Sequence, residues 1–273
     1  MPELPEVETV KETLKRQVLN RKIIKANIYY ENMIEYPTSK EFKEQIKNQV
    51  IEDIERRGKW LLFRLTDYYL LSHLRMEGKY FIRDEEEERL KHEHVSFTFD
   101  NGKTLRYIDT RKFGKMALYL KEDVLNSKQL INIGLEPFDD DLTVSYLKEK
   151  YKKKKLSIKT VLLDQSIIAG IGNIYANEIL FVSKINPSKK ASELNDKELE
   201  KIIESTKVIL KNAIEKGGTT IRSYTSSEGV HGLFQDELYV HGKDKEKCPN
   251  CNQKIVKITL NGRGTYYCSN CQK

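Results

Sequence analysis

The chain has 273 residues, with 48 Lys and Arg against 41 Asp and Glu, and a formal net charge of +7. That length accommodates about two domains, each with its own core, and the positive balance points to a polyanionic partner. No run of about 18 apolar residues is present, which excludes a membrane-spanning helix, and no apolar signal core follows Met1, so the expected compartment is the cytoplasm.

The chain opens Met1-Pro2-Glu3-Leu4-Pro5-Glu6. Removal of Met1 would leave Pro2 as an N-terminal secondary amine beside a carboxylate. An α-amino group titrates near pH ~8, so part of it is neutral and nucleophilic at physiological pH. Attack of such an amine on a sugar C1′ gives an iminium ion, which is an electron sink without a cofactor. The same residues also read as an ordinary helix start, with Pro in the first turn and acids at the positive end. Val7, Val10, Leu14 and Val18 continue at helical spacing, and such a helix would hold the amine in place.

From about Ile23 to Leu120 the pattern is β-rich. Trp60–Leu65, Tyr69–Leu74 and His94–Phe99 are short apolar or alternating runs. Asn101-Gly102 between Asp100 and Lys103 predicts a two-residue hairpin. Strands with tight turns and no alternating helices predict an antiparallel sandwich. The acidic run Glu85 to Glu88 reads as a solvated loop. Basic residues mixed with Met and Phe punctuate this half: Arg56-Arg57-Gly58-Lys59, His73-Leu-Arg-Met76-Glu-Gly78 and Asp109-Thr-Arg111-Lys112-Phe113-Gly114. An exposed Met or Phe beside Arg can fill the gap left by a flipped base, although Met and Phe at strand ends are more often core.

Past Gly134 the character turns helical. Helices are expected around Ile158–Leu163 and Ile174–Val182, and Ala169-Gly-Ile-Gly-Asn173 between them delivers Asn173 as an N-cap. A glycine turn opening a helix presents free N–H groups suited to a phosphate, though most such turns are purely structural. The run Lys152 to Lys155, with Lys159 beyond it, lies beside that turn. Asn195-Asp-Lys-Glu198 reads as a capping box for a helix that ends at Gly217-Gly218. Residues 219–234 are polar and read as a long loop, after which β-character is expected to return around Leu238–Val240.

All four cysteines fall in the last stretch, as Cys248-Pro-Asn-Cys251 and Cys268-Ser-Asn-Cys271. Two C-x2-C knuckles supply four thiolates for one closed, structural Zn²⁺ site. The residues between them, with Asn261-Gly262 at the turn, complete a two-stranded ribbon that carries Arg263 at its tip. A guanidinium on a metal-fixed finger is a candidate phosphate contact.

Assembled in order, these stretches resemble the bacterial formamidopyrimidine-DNA glycosylase family. The resemblance rests on Pro2-Glu-Leu-Pro-Glu-Val-Glu-Thr9, Arg57-Gly-Lys59, His73-Leu-Arg-Met-Glu-Gly78, Asp109-Thr-Arg-Lys-Phe-Gly114, Gly170-Ile-Gly-Asn-Ile-Tyr175, Gly217-Gly-Thr-Thr220 and the four-cysteine finger. It implies an α+β architecture: an N-terminal antiparallel β-sandwich with an N-terminal helix (1–133), a helix-two-turn-helix segment with a lesion-lid loop at 219–234 (134–234), and a zinc β-hairpin finger (235–273). The implied activity is a monomeric bifunctional glycosylase and AP lyase that excises 8-oxoguanine and formamidopyrimidines from duplex DNA, then completes β,δ-elimination.

The resemblance also implies residue roles. Pro2 is the nucleophile that forms the Schiff base, and Glu3 the catalytic acid. Lys59 serves glycosylase and β-elimination chemistry, and Arg263 serves δ-elimination and phosphate binding. His73, His92, Arg111, Lys155 and Asn173 fall with the DNA-binding set, while Met76, Arg111 and Phe113 fill the void of the everted base. The family often has Asp-Pro-Arg-Arg-Phe where this chain has Asp109-Thr-Arg-Lys-Phe113; Lys112 keeps the charge without the bidentate fork. The sandwich and the helix-plus-finger half are expected to form two walls of a basic cleft. The competing readings are an endonuclease VIII-type enzyme for oxidised pyrimidines, with the same Pro-Glu start and finger, and a non-catalytic zinc-ribbon DNA-binding protein.

Overall fold

The computed structural model describes residues 1–219 and 233–273. The described chain forms two compact units: Met1–Asn132 joined by the segment beginning at Gly217, and Ile133–Lys216 with Leu233–Lys273. The loop expected at 219–234 therefore lies mostly outside the described residues.

In the first unit, Val7, Val10, Leu14 and Val18 form the buried stripe of helix α1 (Leu4–Val18), as their spacing predicts. The strands are β1 (Ile23–Ile28), β2 (Ile34–Tyr36), β3 (Ile51–Arg57), β4 (Trp60–Leu65), β5 (Tyr68–His73), β6 (Lys79–Asp84), β7 (Glu93–Phe99), β8 (Lys103–Ile108) and β9 (Lys115–Leu120). They make a four-stranded sheet in the order β1-β7-β8-β6 and a five-stranded sheet in the order β2-β9-β5-β4-β3. Phe42, Phe63, Tyr80, Phe97, Phe99, Tyr107 and Met116 belong to one core cluster. Truncating a ring such as Phe97 in a core of this kind costs about 3–5 kcal/mol.

Three details differ from the sequence expectation. The pairing is antiparallel except between β2 and β9, which run parallel. A helix over Ser39–Ile46 (α2) interrupts the β-rich half; Thr38 caps it and Glu41 returns the bond, a capping-box signal present in the sequence. The β7–β8 turn spans three residues, with Gly102 at φ 73° and its N–H on the Phe99 carbonyl. The pairing of Thr98 with Thr104 sets that length, leaving no register for a two-residue loop.

The second unit contains α3 (Val144–Tyr151), α4 (Ile158–Val161), α5 (Asn173–Val182), α6 (Asp196–Glu215) and a ribbon of β10 (Val256–Leu260) and β11 (Arg263–Tyr267). Helix α4 is shorter than the spacing suggested. Ile174 to Phe181 on α5 are all buried, so α5 is the central rod. Asn195 caps α6 with the expected reciprocal bond to Glu198. No strand forms at Leu238–Val240. The buried Glu178 carboxylate on α5 accepts the N–H groups of Tyr239, Val240 and His241 at 2.6, 3.1 and 2.8 Å, so those amides are taken by a side chain and cannot join a ladder. No described helix is long and apolar enough to cross a membrane.

Candidate active site and nucleic-acid interface

In the first unit, charge is buried at the start of α1. Glu3, Glu6 and Lys59 are 2%, 1% and 6% exposed, and Pro2 is buried with them. Glu3 is the N-cap of α1, and its N–H donates to Glu6 Oε2 at 2.8 Å. Glu6 Oε1 accepts from the Thr219 N–H at 2.8 Å and the Thr219 hydroxyl at 3.1 Å. One carboxylate therefore clamps the catalytic-candidate dipeptide and captures Gly218-Thr219. That capture is why this segment, which the sequence division placed with 134–234, packs in the first unit.

The terminal amine, carried by Met1, is held below its ordinary value by burial; Lys59 acts in the same direction, while Glu3, Glu6 and Glu77 oppose it. Lys59 reaches this neighbourhood from a two-residue hairpin. Arg57 pairs with Trp60, so Gly58-Lys59 make the whole β3–β4 turn. Gly58 has φ 56° at the first central position, where a type II′ turn needs positive φ.

The Met76 and Arg111–Phe113 loops meet at one end of the sandwich. A Cβ on Gly78 would lie 2.1 Å from the Tyr107 hydroxyl, and one on Gly114 would lie 1.8 Å from the same atom. Only glycine allows both loops to close on this tyrosine. The Thr110 hydroxyl donates to the Glu77 carboxylate, joining the loops directly. Buried Asp109 shapes the second loop: Oδ1 accepts from the Arg111 N–H at 2.9 Å, and Oδ2 from the N–H groups of Phe113 and Gly114 at 2.9 and 2.8 Å. Phe113 is thereby left 50% exposed, with the Arg111 guanidinium 4.9 Å from its ring centroid. Lys112 lies over the Tyr30 ring at 5.1 Å. Half-buried His92 has φ 64°, and its carbonyl accepts from the Asp109 N–H.

His73 is buried against the Trp60 ring edge at 4.8 Å, and its Nδ1 accepts from the Arg75 N–H at 2.9 Å. Burial, with the charges of Arg75 and Lys59, pushes its pKa down to about 3. The imidazole is thus neutral, with its proton on Nε2, and holds the turn that presents Met76 instead of offering a cation.

In the second unit, the cap of α5 is Gly172, and Asn173 is the first helical residue, one position later than expected. Its side chain is consequently free of capping. Asn173 Oδ1 accepts from Lys159 Nζ at 2.7 Å, and its Nδ2 donates to the Gly264 carbonyl on β11 at 3.2 Å. Lys159 is 1% exposed. Lys159 and Arg263 both line a cavity of about 350 Å³. Arg263 follows the Asn261-Gly262 turn and is exposed. Lys155 is also exposed, while its neighbour Lys154 pairs with Asp164 at 3.1 Å. Lys159, mentioned in the sequence only as an extension of the lysine run, is the lysine joined to Asn173.

The Sγ atoms of Cys248, Cys251, Cys268 and Cys271 all lie within 4.8 Å of one another, with contacts of 3.8 Å (Cys248–Cys271) and 3.5 Å (Cys251–Cys268). Four sulfurs at about 2.3 Å from a tetrahedral zinc are about 3.8 Å apart, so the donor set fits one structural Zn²⁺ and leaves no open position for chemistry.

Three family models cover the chain: the formamidopyrimidine-DNA glycosylase N-terminal domain over residues 1–116, the H2TH domain of the same enzymes over 133–225, and a zinc finger found in FPG and IleRS over 245–273. The chain belongs to the formamidopyrimidine-DNA glycosylase family. It is 47% identical over its full length to the enzyme of that name from Oceanobacillus iheyensis, covering 98% of that relative. The Bacillus cereus enzyme is 46% identical over 100% of this chain and 99% of its own. Among solved structures, wild-type Lactococcus lactis Fpg bound to DNA containing N7-benzyl-Fapy-dG is 40% identical, with a TM-score of 0.93 and complete coverage of both chains. The complex of L. lactis Fpg with abasic-site DNA is 39% identical, with a TM-score of 0.93 over 99% of each chain.

Family membership makes this chain a base-excision repair glycosylase for oxidised purines, and decides against both competing readings. Two site residues escaped notice in the sequence. Glu6 passed as a helix-start acid, although the Glu3-x-x-Glu6 spacing is itself a capping-box signal. Lys159 carries no local signal, because its partner is fourteen residues away.

Proposed function

We propose that this enzyme excises 8-oxoguanine and formamidopyrimidines from duplex DNA through a Schiff base on Pro2. The carrying observation is that Pro2 is buried with Glu3, Glu6 and Lys59 at the start of α1, in a neighbourhood where burial already lowers the amine that Met1 carries. With Met1 removed, the Pro2 nitrogen attacks C1′, the bond from C1′ to the base breaks, and Glu3 assists the proton transfer that lets the base leave. Opening of the C1′–O4′ bond, with a proton taken up by O4′, then gives the iminium, which acidifies C2′; loss of that C2′ proton expels the 3′ phosphate, and δ-elimination then releases the 5′ phosphate. Lys59 serves the glycosylase and β-elimination steps. Met76, Arg111 and Phe113 fill the vacated stack, an oxidised base being easier to evert than an intact one. His92, Asn173 and Arg263 contact the backbone, with Lys159 orienting Asn173. Phosphate neutralisation supplies most of the affinity, so binding weakens steeply with salt. Residues 1–133, 134–234 and 235–273 divide the labour as chemistry, backbone grip with the lid, and finger. The protein works in the cytoplasm as a monomer.

The test is borohydride trapping on a duplex with 8-oxoguanine opposite cytosine, alongside a dihydrouracil duplex and Pro2→Gly. A covalent adduct that requires Pro2 and favours the purine lesion is expected. Adduct formation by Pro2→Gly at the wild-type rate would remove Pro2 from the chemistry. Mass spectrometry of the mature N-terminus checks the loss of Met1.

A further inference from the structure

The type II′ turn that carries Lys59 is two residues long, and the β3–β4 ladder ends at Arg57 and Trp60. Arg56 Nη1 donates to the Gly58 carbonyl at 2.9 Å, while Arg56 Nε donates to Glu8 Oε2 on α1 at 2.7 Å. The second Glu8 oxygen accepts from Lys11. The side chains of Arg56 and Glu8 are only 10% and 18% exposed. Glu8 lies five residues from Glu3 on the same helix, about 7.5 Å at the standard rise.

We infer that Arg56, locked by Glu8, is a positioning residue that sets the Lys59 turn in the same rigid frame as Pro2 and Glu3. One guanidinium joins two elements far apart in sequence: the helix that carries the nucleophile and the turn that carries the lysine. A lysine could not replace it, because all its protons leave from one nitrogen and cannot span a carboxylate and a carbonyl in different directions. Burial would raise the Glu8 carboxyl, but its bonds to Lys11 and Arg56 hold it below the usual carboxylate range, so the acceptor stays charged at working pH. The exact placement of a reacting group matters because a 1 Å displacement can cost about 10²-fold in rate. The inference rests on the role assigned to Lys59 above.

A double-mutant cycle tests it. Single-turnover excision of 8-oxoguanine is measured for Arg56→Lys, Glu8→Gln and Lys59→Ala, and for each of the first two combined with Lys59→Ala. Affinity is measured separately on a duplex carrying a tetrahydrofuran abasic analogue. Arg56→Lys and Glu8→Gln are each expected to slow excision by about 10-fold or more, with affinity changed less than about 2-fold and no further loss once Lys59 is absent. A wild-type rate in Arg56→Lys overturns the inference, as does a loss that persists undiminished on the Lys59→Ala background. A wild-type rate in Lys59→Ala alone instead removes the Lys59 assignment, and the inference falls with it. Arg56→Lys preserves charge and bulk, so its melting temperature should stay near that of the wild type; Glu8→Gln supplies a second, independent arm.

Discussion

At the start of α1, Glu3, Glu6 and Lys59 are each less than a tenth exposed and fixed by backbone N–H groups and a two-residue turn. At the ribbon tip, Arg263 stands in solvent on a hairpin whose base carries the four thiolates and which is keyed to α5 through Asn173. Desolvating charge in the first region costs folding energy, and desolvation favours the neutral form of an amine. The second leaves a cation wet, where it attracts phosphate at long range and releases counterions on binding. Charge buried at the start of α1 should therefore control rate, while in the second unit buried Lys159, acting through Asn173, and exposed Arg263 should control affinity, with exposed Arg263 setting its salt dependence.

The largest expected effect lies in the first region. Pro2→Gly should lower excision by at least about 10³-fold, as expected for the loss of a nucleophile, with binding to abasic-analogue DNA nearly unchanged. A parallel collapse of affinity in filter binding would erase the distinction between the regions. Next comes the metal. Cys268→Ser should release zinc and weaken DNA binding by at least about 10²-fold, since structural zinc supplies roughly 10–16 kcal/mol of apparent folding energy in zinc-finger peptides. Pro2 should stay chemically competent, which small-molecule labelling of the terminal amine would reveal.

Two milder substitutions sharpen the contrast within the second unit. Lys159→Met removes a charge-assisted bond from Asn173, worth about 1.5–3 kcal/mol, and should weaken binding roughly 10-fold. Arg263→Ala should cost less and reduce the slope of log affinity against log salt by about one. Titrations across a salt series separate the two, and an unchanged slope in Arg263→Ala would remove the proposed phosphate contact.

The smallest effect concerns His73. Its folded pKa of about 3 lies below the ordinary value of 6.5, so the unfolded chain binds the extra proton between those limits. Its contribution to stability is complete above about pH 6.5 and is lost as pH falls towards 3. Denaturation midpoints at pH 7 and 4.5 should differ less in His73→Gln than in the wild type, and the His73 ring should show no NMR titration between pH 5 and 8.

Legibility followed the range of the interaction. Asn195-x-x-Glu198, Asn261-Gly262 and the cysteine knuckles are local patterns whose chemistry is complete within a few residues, and each stands where its spacing placed it. The β7–β8 turn failed because Asn101-Gly102 suits two loop lengths, and the register of Thr98 against Thr104 chose between them. Leu238–Val240 failed because a distant carboxylate, Glu178, took its amides.

What the amino-acid sequence determined by itself was the inventory: an amine-bearing start, a lysine in a glycine turn, wedge candidates, a helix-opening glycine turn and a zinc ribbon. Tertiary structure alone decided the partnerships. Tyr107 draws the Met76 and Phe113 loops together through two glycines, Lys159 meets Asn173, Glu6 captures Thr219, and Arg56 ties the Lys59 turn to α1. Each of these joins residues whose separation along the chain exceeds the reach of a helix turn or hairpin. Their geometry is fixed only when burial and register have placed the backbones side by side.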